Sequence, residues 1–323
     1  MPKTIPRLPE VDLLPFTSLE EARPVLLVTS LPAWEAVKGQ LHLNVAAQVE
    51  IAAATTAHWD EKLAGVRASS AQVVYAVGAG LTADAAKYLA FNLGLPLVCL
   101  PTALSVDAFL TAASGIRKDG CVFYIETKPP ERLVLDLDVI AAAPASLRAA
   151  GITDVLSIAT GCWDWRFAHA RGRNPAGMEL VPWVYDNAQS ILAGVLDCAA
   201  AAGRGDRGGL KTLYDCLAME VQLCNQVGHA RPEEGSEHYF AYCIEQFTGP
   251  GRSHGELVGP GILLMAGRQG LATGPLRSAM EACAIPLDRI PPEAVRQTLD
   301  LLPGYCRKHK LPFGIAHTLQ EEP

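Results

Sequence analysis

The sequence predicts an α/β amino-terminal domain followed by an all-helical carboxyl-terminal domain. In the first half of the chain, short apolar runs alternate with amphipathic segments, an order that is typical of parallel strands joined by helices. From about residue 138 onwards alanine and leucine dominate, and helical patterns continue to the end. We place the boundary near residue 148, which gives domains of residues 1–148 and 149–323.

Four short apolar runs have the length and composition of buried strands. They cover residues 24–30, 46–53, 71–80 and 96–102. The amphipathic segment "LPAWEAVKGQL" follows the first run and "TADAAKYLAFNLG" follows the third, and we interpret both as helices. Strands and helices in this order predict a parallel sheet with helices on its faces.

The next stretch predicts a hairpin and one further strand. In "SGIRKDGCVFYIE", two β-type runs flank Lys118, Asp119 and Gly120, a sequence that favours a tight antiparallel turn. The run "ERLVLDLDVI", residues 131–140, predicts the last strand of the domain. Beyond it, loops at 168–177, 200–209 and 228–235 separate the predicted helices.

Composition excludes several classes of partner. Half of the 323 residues are hydrophobic, the formal net charge is −7, and no basic run that would bind nucleic acid is present. The amino terminus lacks the apolar segment of a signal peptide, and the apolar stretches are too short or too interrupted to cross a bilayer. The nine cysteines follow no paired spacing, which is typical of reduced thiols. We therefore expect a cytoplasmic protein whose partners are neither nucleic acid nor membrane.

A glycine-containing turn, "VGAGLTADAAK" at residues 77–87, follows a predicted strand and opens a predicted helix. Such a turn presents backbone N–H groups and the positive end of the helix to a phosphate, and Gly78 and Gly80 allow a close approach. Many strand-to-helix turns contain two glycines, so a purely structural turn is the alternative. Its place at the carboxyl end of a central strand favours a nucleotide site, because ligands of open α/β sheets bind there.

A carboxylate stands in an apolar run, "AAGITDVLSI", in which Asp154 is the charged residue. A charge among such neighbours loses hydration worth several kcal/mol unless something compensates it. His238 and His254, further along the chain, would add two imidazole nitrogens to this oxygen. Three such ligands with an open position suit a catalytic divalent metal.

Each of these three residues also has an ordinary structural explanation. Asp154 would cap a helix or pair with Arg148, His238 would lie on a helix surface or at its cap, and His254 would be a loop residue beside Gly255. Spacing along the chain does not bring such distant residues together, so the residues alone leave these alternatives open.

Six segments of the chain occur in the order that is seen in one family of enzymes. They are "GAGLTADAAK", "PTALSVDAF", "AAGITDVLS", "DWRFAHA", "GSEHYFAY" and "SHGELVG". This order resembles the sn-glycerol-1-phosphate dehydrogenases, which belong to the superfamily of dehydroquinate synthases and iron-containing alcohol dehydrogenases. The resemblance runs from about residue 71 to 260 and more loosely over the rest. It implies a dehydroquinate synthase-like fold: a Rossmann-like dinucleotide-binding domain, an all-α metal-binding domain, and the cofactor in the cleft between them.

The resemblance also implies roles for individual residues. Asp154, His238 and His254 would bind the metal, with Asp154 and His254 also taking part in catalysis. Asp107 would contact the substrate and act in catalysis, and Asp154 and Tyr242 would face the substrate as well. The implied cofactor-binding residues are Gly78, Gly80, Leu81, Thr82, Asp84, Thr102, Ser105, Thr111 and Ser30.

Four departures from the family pattern concern the cofactor loop and the substrate. Ala79 interrupts the family's triple glycine, and Thr111 stands for a serine. Tyr242 stands where the family usually has a second histidine, four residues after the metal-binding one. Glu233 and Glu234 replace small neutral residues, and they would oppose a phosphate-bearing substrate if they point into the site. We therefore expect weaker use of dihydroxyacetone phosphate than is usual in the family.

The function that this resemblance implies is reversible hydride transfer between NAD(P)(H) and a small hydroxy ketone, which is phosphorylated in the family. A divalent metal would polarise the carbonyl, and zinc, nickel or ferrous iron suit the ligand set, with zinc as our choice. We expect both NADH and NADPH to be accepted, because Ser30 stands where related enzymes often carry an aspartate. From the family we also expect a homo-oligomer. The alternatives are a dehydroquinate synthase-type lyase or cyclase and a non-catalytic nucleotide-binding descendant.

Overall fold

The computed structural model describes residues 5–320, and the chain divides into two compact units between Arg148 and Ala149. The strands of the first unit are β1 (Glu10–Leu13), β2 (Val25–Thr29), β3 (Val45–Glu50), β4 (Val73–Gly78), β5 (Leu97–Pro101), β6 (Ala113–Lys118), β7 (Cys121–Glu126) and β8 (Arg132–Leu135). Its helices are α1 (Leu31–Val37), α2 (Thr56–Val66), α3 (Gly80–Leu93), α4 (Leu137–Ala142) and α5 (Ala145–Arg148).

Six of these strands form one parallel sheet in the order β1-β8-β5-β4-β2-β3. Every residue of β2, β4 and β5 is buried, which explains why their sequences are continuous apolar runs rather than alternating ones. Alternate residues along these strands, such as Leu27, Tyr75 and Leu100, pack in one cluster around Phe16. The predicted parallel sheet is confirmed.

The order of the strands places a topological switch point between β2 and β4. The chain leaves β2 through α1 towards β3 on one side, whereas it leaves β4 through α3 towards β5 on the other. Because β2 and β4 are neighbours, with Thr29 opposite Val77, the loops after these two strands diverge from adjacent points. Open α/β sheets bind their ligands at such a switch point, outside the carboxyl ends of the strands.

The predicted hairpin is confirmed as the antiparallel pair β6 and β7. Lys118 pairs with Cys121, so the turn consists of Asp119 and Gly120. Both residues have positive φ, 52° and 75°, as a type I′ turn requires.

The strand predicted over residues 131–140 is wrong in its second half. β8 ends at Leu135, and the side chain of Asp136 then accepts hydrogen bonds from the backbone N–H groups of Asp138 and Val139 to begin α4. Two elements were not predicted. They are the edge strand β1 and the helix α2, whose first turn is capped by Thr55.

Regular structure in the described part of the second unit is helical, as the sequence predicts. The helices are α6 (Ile152–Leu156), α7 (Ile158–Ala170), α8 (Pro182–Gly203), α9 (Arg207–Val227), α10 (Ser236–Thr248), α11 (His254–Arg268), α12 (Thr273–Ala282) and α13 (Pro292–Lys308), followed by a 3₁₀ turn at Ile315–His317. None of the helices among residues 5–320 combines the length and the hydropathy that a transmembrane span requires. The nine cysteines are thiols, and eight of them are buried.

Close packing of α11 against α10 sets the geometry of the second unit's candidate site. A Cβ atom added at Gly261 in α11 would lie only 2.6 Å from the carbonyl oxygen of Glu237 in α10. At the start of α11, Gly255 lies against Ala150, just before α6. Small residues therefore let α11 approach both elements, and the first turns of α10 and α11 lie together beside α6.

Candidate metal centre and cofactor loop

The structure brings Asp154, His238 and His254 together from α6, α10 and α11. One ligand atom from each residue lies within 4.8 Å of the other two. The Oδ1 atom of Asp154 is 2.7 Å from Nε2 of His254, and the ring centroids of the two histidines are 5.2 Å apart. A carboxylate oxygen and two imidazole nitrogens at this separation fit one divalent cation and leave coordination positions for a substrate oxygen.

Local structure explains how two of these side chains are held. Asp154 is 6% exposed in a helix whose other residues are all buried, so the cation would supply the compensation that its charge requires. His254 is the first residue of α11, and a capping box fixes that end of the helix. Ser253 Oγ accepts from the Glu256 N–H, and the Ser253 N–H donates to the Glu256 carboxylate.

Glu237 orients the third candidate ligand, His238. Its Oε1 atom accepts a hydrogen bond from the Gly235 N–H and lies 2.9 Å from Nδ1 of His238. A proton held at Nδ1 leaves the Nε2 lone pair available for a metal, and carboxylate–histidine pairs of this kind are common behind metal ligands. Burial lowers the pKa of His238, but the hydrogen bond and charge of Glu237, with the charges of Glu234 and Asp154, raise it to about 9. The carboxylates around His238 therefore favour a positive charge beside them, which a cation bound at Nε2 would supply.

We expect Glu237→Ala to weaken zinc binding about 10–100-fold, because His238 loses the group that fixes its tautomer and orientation. Competition with a chromophoric chelator measures this directly. Glu237→Gln, which keeps an acceptor for Nδ1, is expected to lose less. Glu245→Ala, on the same helix, is the control and should bind zinc as the wild type does. Equal zinc affinity in Glu237→Ala and the wild type would contradict the role.

Asp164, in the segment "DWRFAHA", is hydrogen-bonded both to the start of α10 and to the 3₁₀ turn at Ile315–His317. One carboxylate oxygen accepts from the N–H and the hydroxyl of Ser236, and the other accepts from the Gln269 amide and the Ile315 N–H. Burial raises its pKa to about 6, against the opposing effect of these hydrogen bonds. The sequence pattern alone predicts no role for Asp164. A carboxylate in a largely apolar helix segment, the same signal that marked Asp154, was the available clue.

In the first unit, the glycine loop has the backbone that its sequence predicts. Gly78 has a φ of +152°, which other residues rarely adopt, and a Cβ at Gly80 would lie 2.5 Å from Val106 Cγ2. Ala79 between them has φ −117°, an ordinary extended value. This explains why alanine is tolerated there. α3 begins at Gly80 with no acidic residue in its first turn, so its N–H groups face an environment that suits an anion.

Other predicted cofactor residues surround this loop. Thr82 is buried, with its hydroxyl over Gly78, while Leu81 is 38% exposed. The Thr102 N–H donates to the Gly78 carbonyl, and Ser105 is half-buried nearby in the chain. Most of the predicted cofactor-binding residues of this loop therefore lie at the carboxyl ends of β4 and β5.

Asp84 and Thr111 have a different immediate partner, the fully buried Lys87. The Lys87 Nζ atom lies 2.9 Å from Asp84 Oδ1, and it donates to Thr111 Oγ1 at 2.9 Å and to the carbonyl of Ala113. Burial raises the pKa of Asp84, and the charge and hydrogen bond of Lys87 oppose that shift. These side chains join α3 to the segment before β6. Lys87 was not among the residues predicted from the sequence. Its spacing of three residues from Asp84 on a predicted helix would have indicated an ion pair.

Ser30 occupies the N-cap position of α1, but its hydroxyl makes no capping hydrogen bond. It lies at the carboxyl end of β2, beside the end of β4 that carries the glycine loop. Asp107 lies in the first unit between β5 and β6, half-buried, and its carbonyl accepts from the Leu110 N–H.

Tyr242 lies in the second unit, one helical turn after His238. Its ring centroid is 6.1 Å from that of His238, and its hydroxyl donates to Glu234 Oε1 at 3.0 Å. Two of the residues that depart from the family pattern are therefore hydrogen-bonded to each other. Glu233 and Glu234 are both half-buried.

Comparison with known proteins agrees with this architecture. The family model for iron-containing alcohol dehydrogenases matches residues 4–144. Glycerol-1-phosphate dehydrogenase [NAD(P)+] from Sulfurisphaera tokodaii is 29% identical over 279 residues, covering 85% of this chain and 74% of the relative. The enzyme of the same name from Bacillus subtilis is 33% identical over 200 residues, covering 60% of this chain and 49% of the relative.

Solved structures show the same fold over nearly the whole chain. Glycerol dehydrogenase from Schizosaccharomyces pombe has a TM-score of 0.68 at 19% identity, covering 99% of this chain and 87% of that one. Sulfoacetaldehyde reductase from Bifidobacterium kashiwanohense has a TM-score of 0.67 at 14% identity, covering 98% of this chain and 96% of that one. The family model, the curated relatives and the fold together identify an NAD(P)-dependent oxidoreductase that is similar to the iron-containing alcohol dehydrogenases. Among the curated relatives, the chain is similar to glycerol-1-phosphate dehydrogenases. The fold class, the resemblance to this family and the enzyme class predicted from the sequence are confirmed.

Proposed function

We propose that the protein catalyses the reversible reduction of a small hydroxy ketone by NAD(P)H at a divalent metal held by Asp154, His238 and His254. The observation that carries the proposal is the convergence of these three ligand atoms within 4.8 Å. The names of the relatives, which are glycerol-1-phosphate dehydrogenases using NAD(P)+, support a three-carbon hydroxy ketone and its alcohol as the substrate pair. Zinc is the metal that we propose, and nickel or ferrous iron suits the same ligands.

Some residues of this chain would bind the metal, and others would orient a metal ligand or the substrate. When bound, the metal supplies a Lewis acid that polarises the carbonyl and stabilises the alkoxide. Asp154 and His238, both buried, and His254, whose side chain is 27% exposed, would hold this metal. Glu237, whose Oε1 lies 2.9 Å from Nδ1 of His238, would keep a proton on that nitrogen. Asp107 would orient the substrate hydroxyl or relay a proton to it.

The glycine loop would bind the cofactor. Helix α3 begins at Gly80, and Gly78 and Gly80 leave its first backbone N–H groups open to close approach. Free N–H groups at a helix start suit a pyrophosphate. Thr102 and Ser105 follow β5 at the same edge of the sheet and would lie towards the nicotinamide. The cofactor supplies the hydride, and the protein supplies position and electrostatic field. A cytoplasmic location and a homo-oligomeric state are part of the proposal.

The activity is tested by incubating the zinc-reconstituted protein with small ketones, with and without phosphate. The oxidation of NADH and of NADPH is measured for each ketone. Steady consumption of reduced cofactor with a ketone is expected. A dehydroquinate synthase-type lyase regenerates its cofactor, so product formation without net oxidation would favour that alternative. Cofactor binding without turnover on any ketone would favour the non-catalytic alternative.

Coenzyme choice gives a prediction at Ser30. An aspartate at the end of this strand accepts hydrogen bonds from the adenosine ribose and repels a 2′-phosphate, whereas Ser30 carries no charge and its hydroxyl is not used for capping. We expect the wild type to use both NADPH and NADH. Ser30→Asp should lower kcat/KM for NADPH selectively, by about 1–3 kcal/mol or roughly 5- to 150-fold. Ser30→Ala is the control and should keep use of both coenzymes. A wild type that refuses NADPH while using NADH well would contradict the prediction.

A further inference from the structure

The loop before α10 holds a carboxylate in a fixed place. The N–H groups of Glu233 and Glu234 both donate to the carbonyl of Ala230, at 3.0 and 2.7 Å, which closes a tight turn. Helix α7 packs directly against this turn, because a Cβ at Gly161 would lie 2.9 Å from the Glu233 carbonyl carbon and 3.1 Å from the Glu234 nitrogen. The backbone that carries these two glutamates therefore has little freedom to move.

The Glu234 side chain lies on the side of the metal ligands. Tyr242 follows His238 by one turn on the same face of α10, and its hydroxyl holds the Glu234 carboxylate at 3.0 Å. The ring of Tyr242 is 6.1 Å from that of His238, which is 5.2 Å from that of His254.

Its neighbour Glu233 influences a different side chain. Burial raises the pKa of Cys162 to about 12, and the charges of Glu237 and Glu233 act in the same direction. Cys162 is in α7, where its thiol contacts the carbonyl of Pro232. The two adjacent glutamates therefore have different surroundings, which provides a matched pair for experiment.

We propose that Glu234, held by Tyr242, determines substrate specificity at the metal centre by disfavouring the phosphate ester and favouring the uncharged hydroxy ketone. This inference rests on the proposed function. A fixed carboxylate in a half-buried site is weakly screened and repels a phosphate dianion. The same carboxylate accepts hydrogen bonds from hydroxyl groups, so an uncharged substrate of this kind has no penalty to overcome.

Kinetics with dihydroxyacetone and dihydroxyacetone phosphate test the proposal on the zinc-loaded protein. The wild type should have the higher kcat/KM for dihydroxyacetone. Glu234→Gln should raise kcat/KM for the phosphate about tenfold and change that for dihydroxyacetone less than about threefold. Tyr242→Phe, which releases the carboxylate without removing it, should move the ratio in the same direction by less. Combined with Glu234→Gln, it should add nothing, because both changes act through one group.

The control is Glu233→Gln, which removes an equal charge one residue away and should leave the substrate ratio within twofold of the wild type. A ratio that Glu234→Gln leaves unchanged, or that both variants shift equally, overturns the proposal. Binding gives a second readout without turnover: glycerol phosphate should stabilise Glu234→Gln against heat at about tenfold lower concentration than the wild type. If no ketone is reduced, the proposed function fails, and this binding comparison still decides the role of Glu234.

Discussion

The His254→Ala protein is expected to lose its metal and its turnover while keeping its fold. Asp154 and His238 remain as ligands, but they lie on different helices and do not form a chelating pair on one element. Zinc affinity should therefore fall by more than about 100-fold. Activity with any ketone should fall by at least about 1,000-fold, because the polarising group is lost from the reacting carbonyl. Metal analysis after dialysis against a known zinc concentration measures the first effect, and NADH oxidation measures the second.

The fold should survive because the imidazole of His254 is 27% exposed and contributes little to packing. The capping box that begins α11 uses Ser253 and Glu256, which the substitution leaves in place. Circular dichroism and thermal unfolding of the metal-free proteins should therefore match. His169→Ala, an exposed histidine on α7, is the control for removing an imidazole and should keep both metal and activity. Wild-type protein that binds no divalent metal near stoichiometry would contradict the metal centre itself.

Much of the first unit was predictable because its strands are buried on both faces. Continuous apolar runs such as "VLLVT" in β2 predict strands that are buried on both faces. The two-residue turn at Asp119 and Gly120 predicts the hairpin. Helix α2 was missed although Trp59, Leu63 and Val66 give it an apolar stripe of helical spacing. The error after Leu135 has a clear cause: the apolar run continues, but Asp136 caps a helix inside it.

The candidate metal site was predictable in its members but not in its geometry. Asp154 stood out because a charge in an apolar run needs a partner, yet the partner is chosen by tertiary packing. His238 and His254 follow Asp154 in the sequence by 84 and 100 residues. Their convergence depends on the close contact of α11 with α10 at Gly261. No local pattern encodes that contact, so the family resemblance supplied it.

Partners of side chains were the least predictable feature. The hydrogen bond between Tyr242 and Glu234 joins a helix to the loop before it, and the sequence shows only that each residue departs from the family pattern. The role of Asp84 shows the same limit. Its position in the glycine loop predicts a cofactor contact, which stays a prediction, and the structure adds an ion pair with Lys87, whose side chain is fully buried.

The Asp84–Lys87 pair gives the prediction with the largest expected effect on stability. Lys87→Met keeps most of the apolar stem of the side chain but removes the cation, which leaves a nearly buried carboxylate without its partner. Removing one member of a buried ion pair costs about 3–5 kcal/mol of unfolding free energy. Replacing both members, in Asp84→Asn with Lys87→Met, should recover a large part of this loss, because no buried charge is then left. Urea unfolding of the three proteins measures the difference.

The loss in Lys87→Met should also depend on pH, and its sign follows from the raised pKa of Asp84. A carboxyl whose folded pKa lies above its unfolded value is protonated more readily in the folded state, so lowering the pH through the folded pKa stabilises the fold. The deficit of Lys87→Met relative to the double variant should therefore shrink as the pH falls. Lys211→Met is the control, because Lys211 pairs with Asp215 at 2.7 Å but both side chains are more than a third exposed. It should cost no more than about 1 kcal/mol. A loss in Lys87→Met as small as that of Lys211→Met, or a double variant no more stable than the single one, would show that the pair does not hold α3 in place.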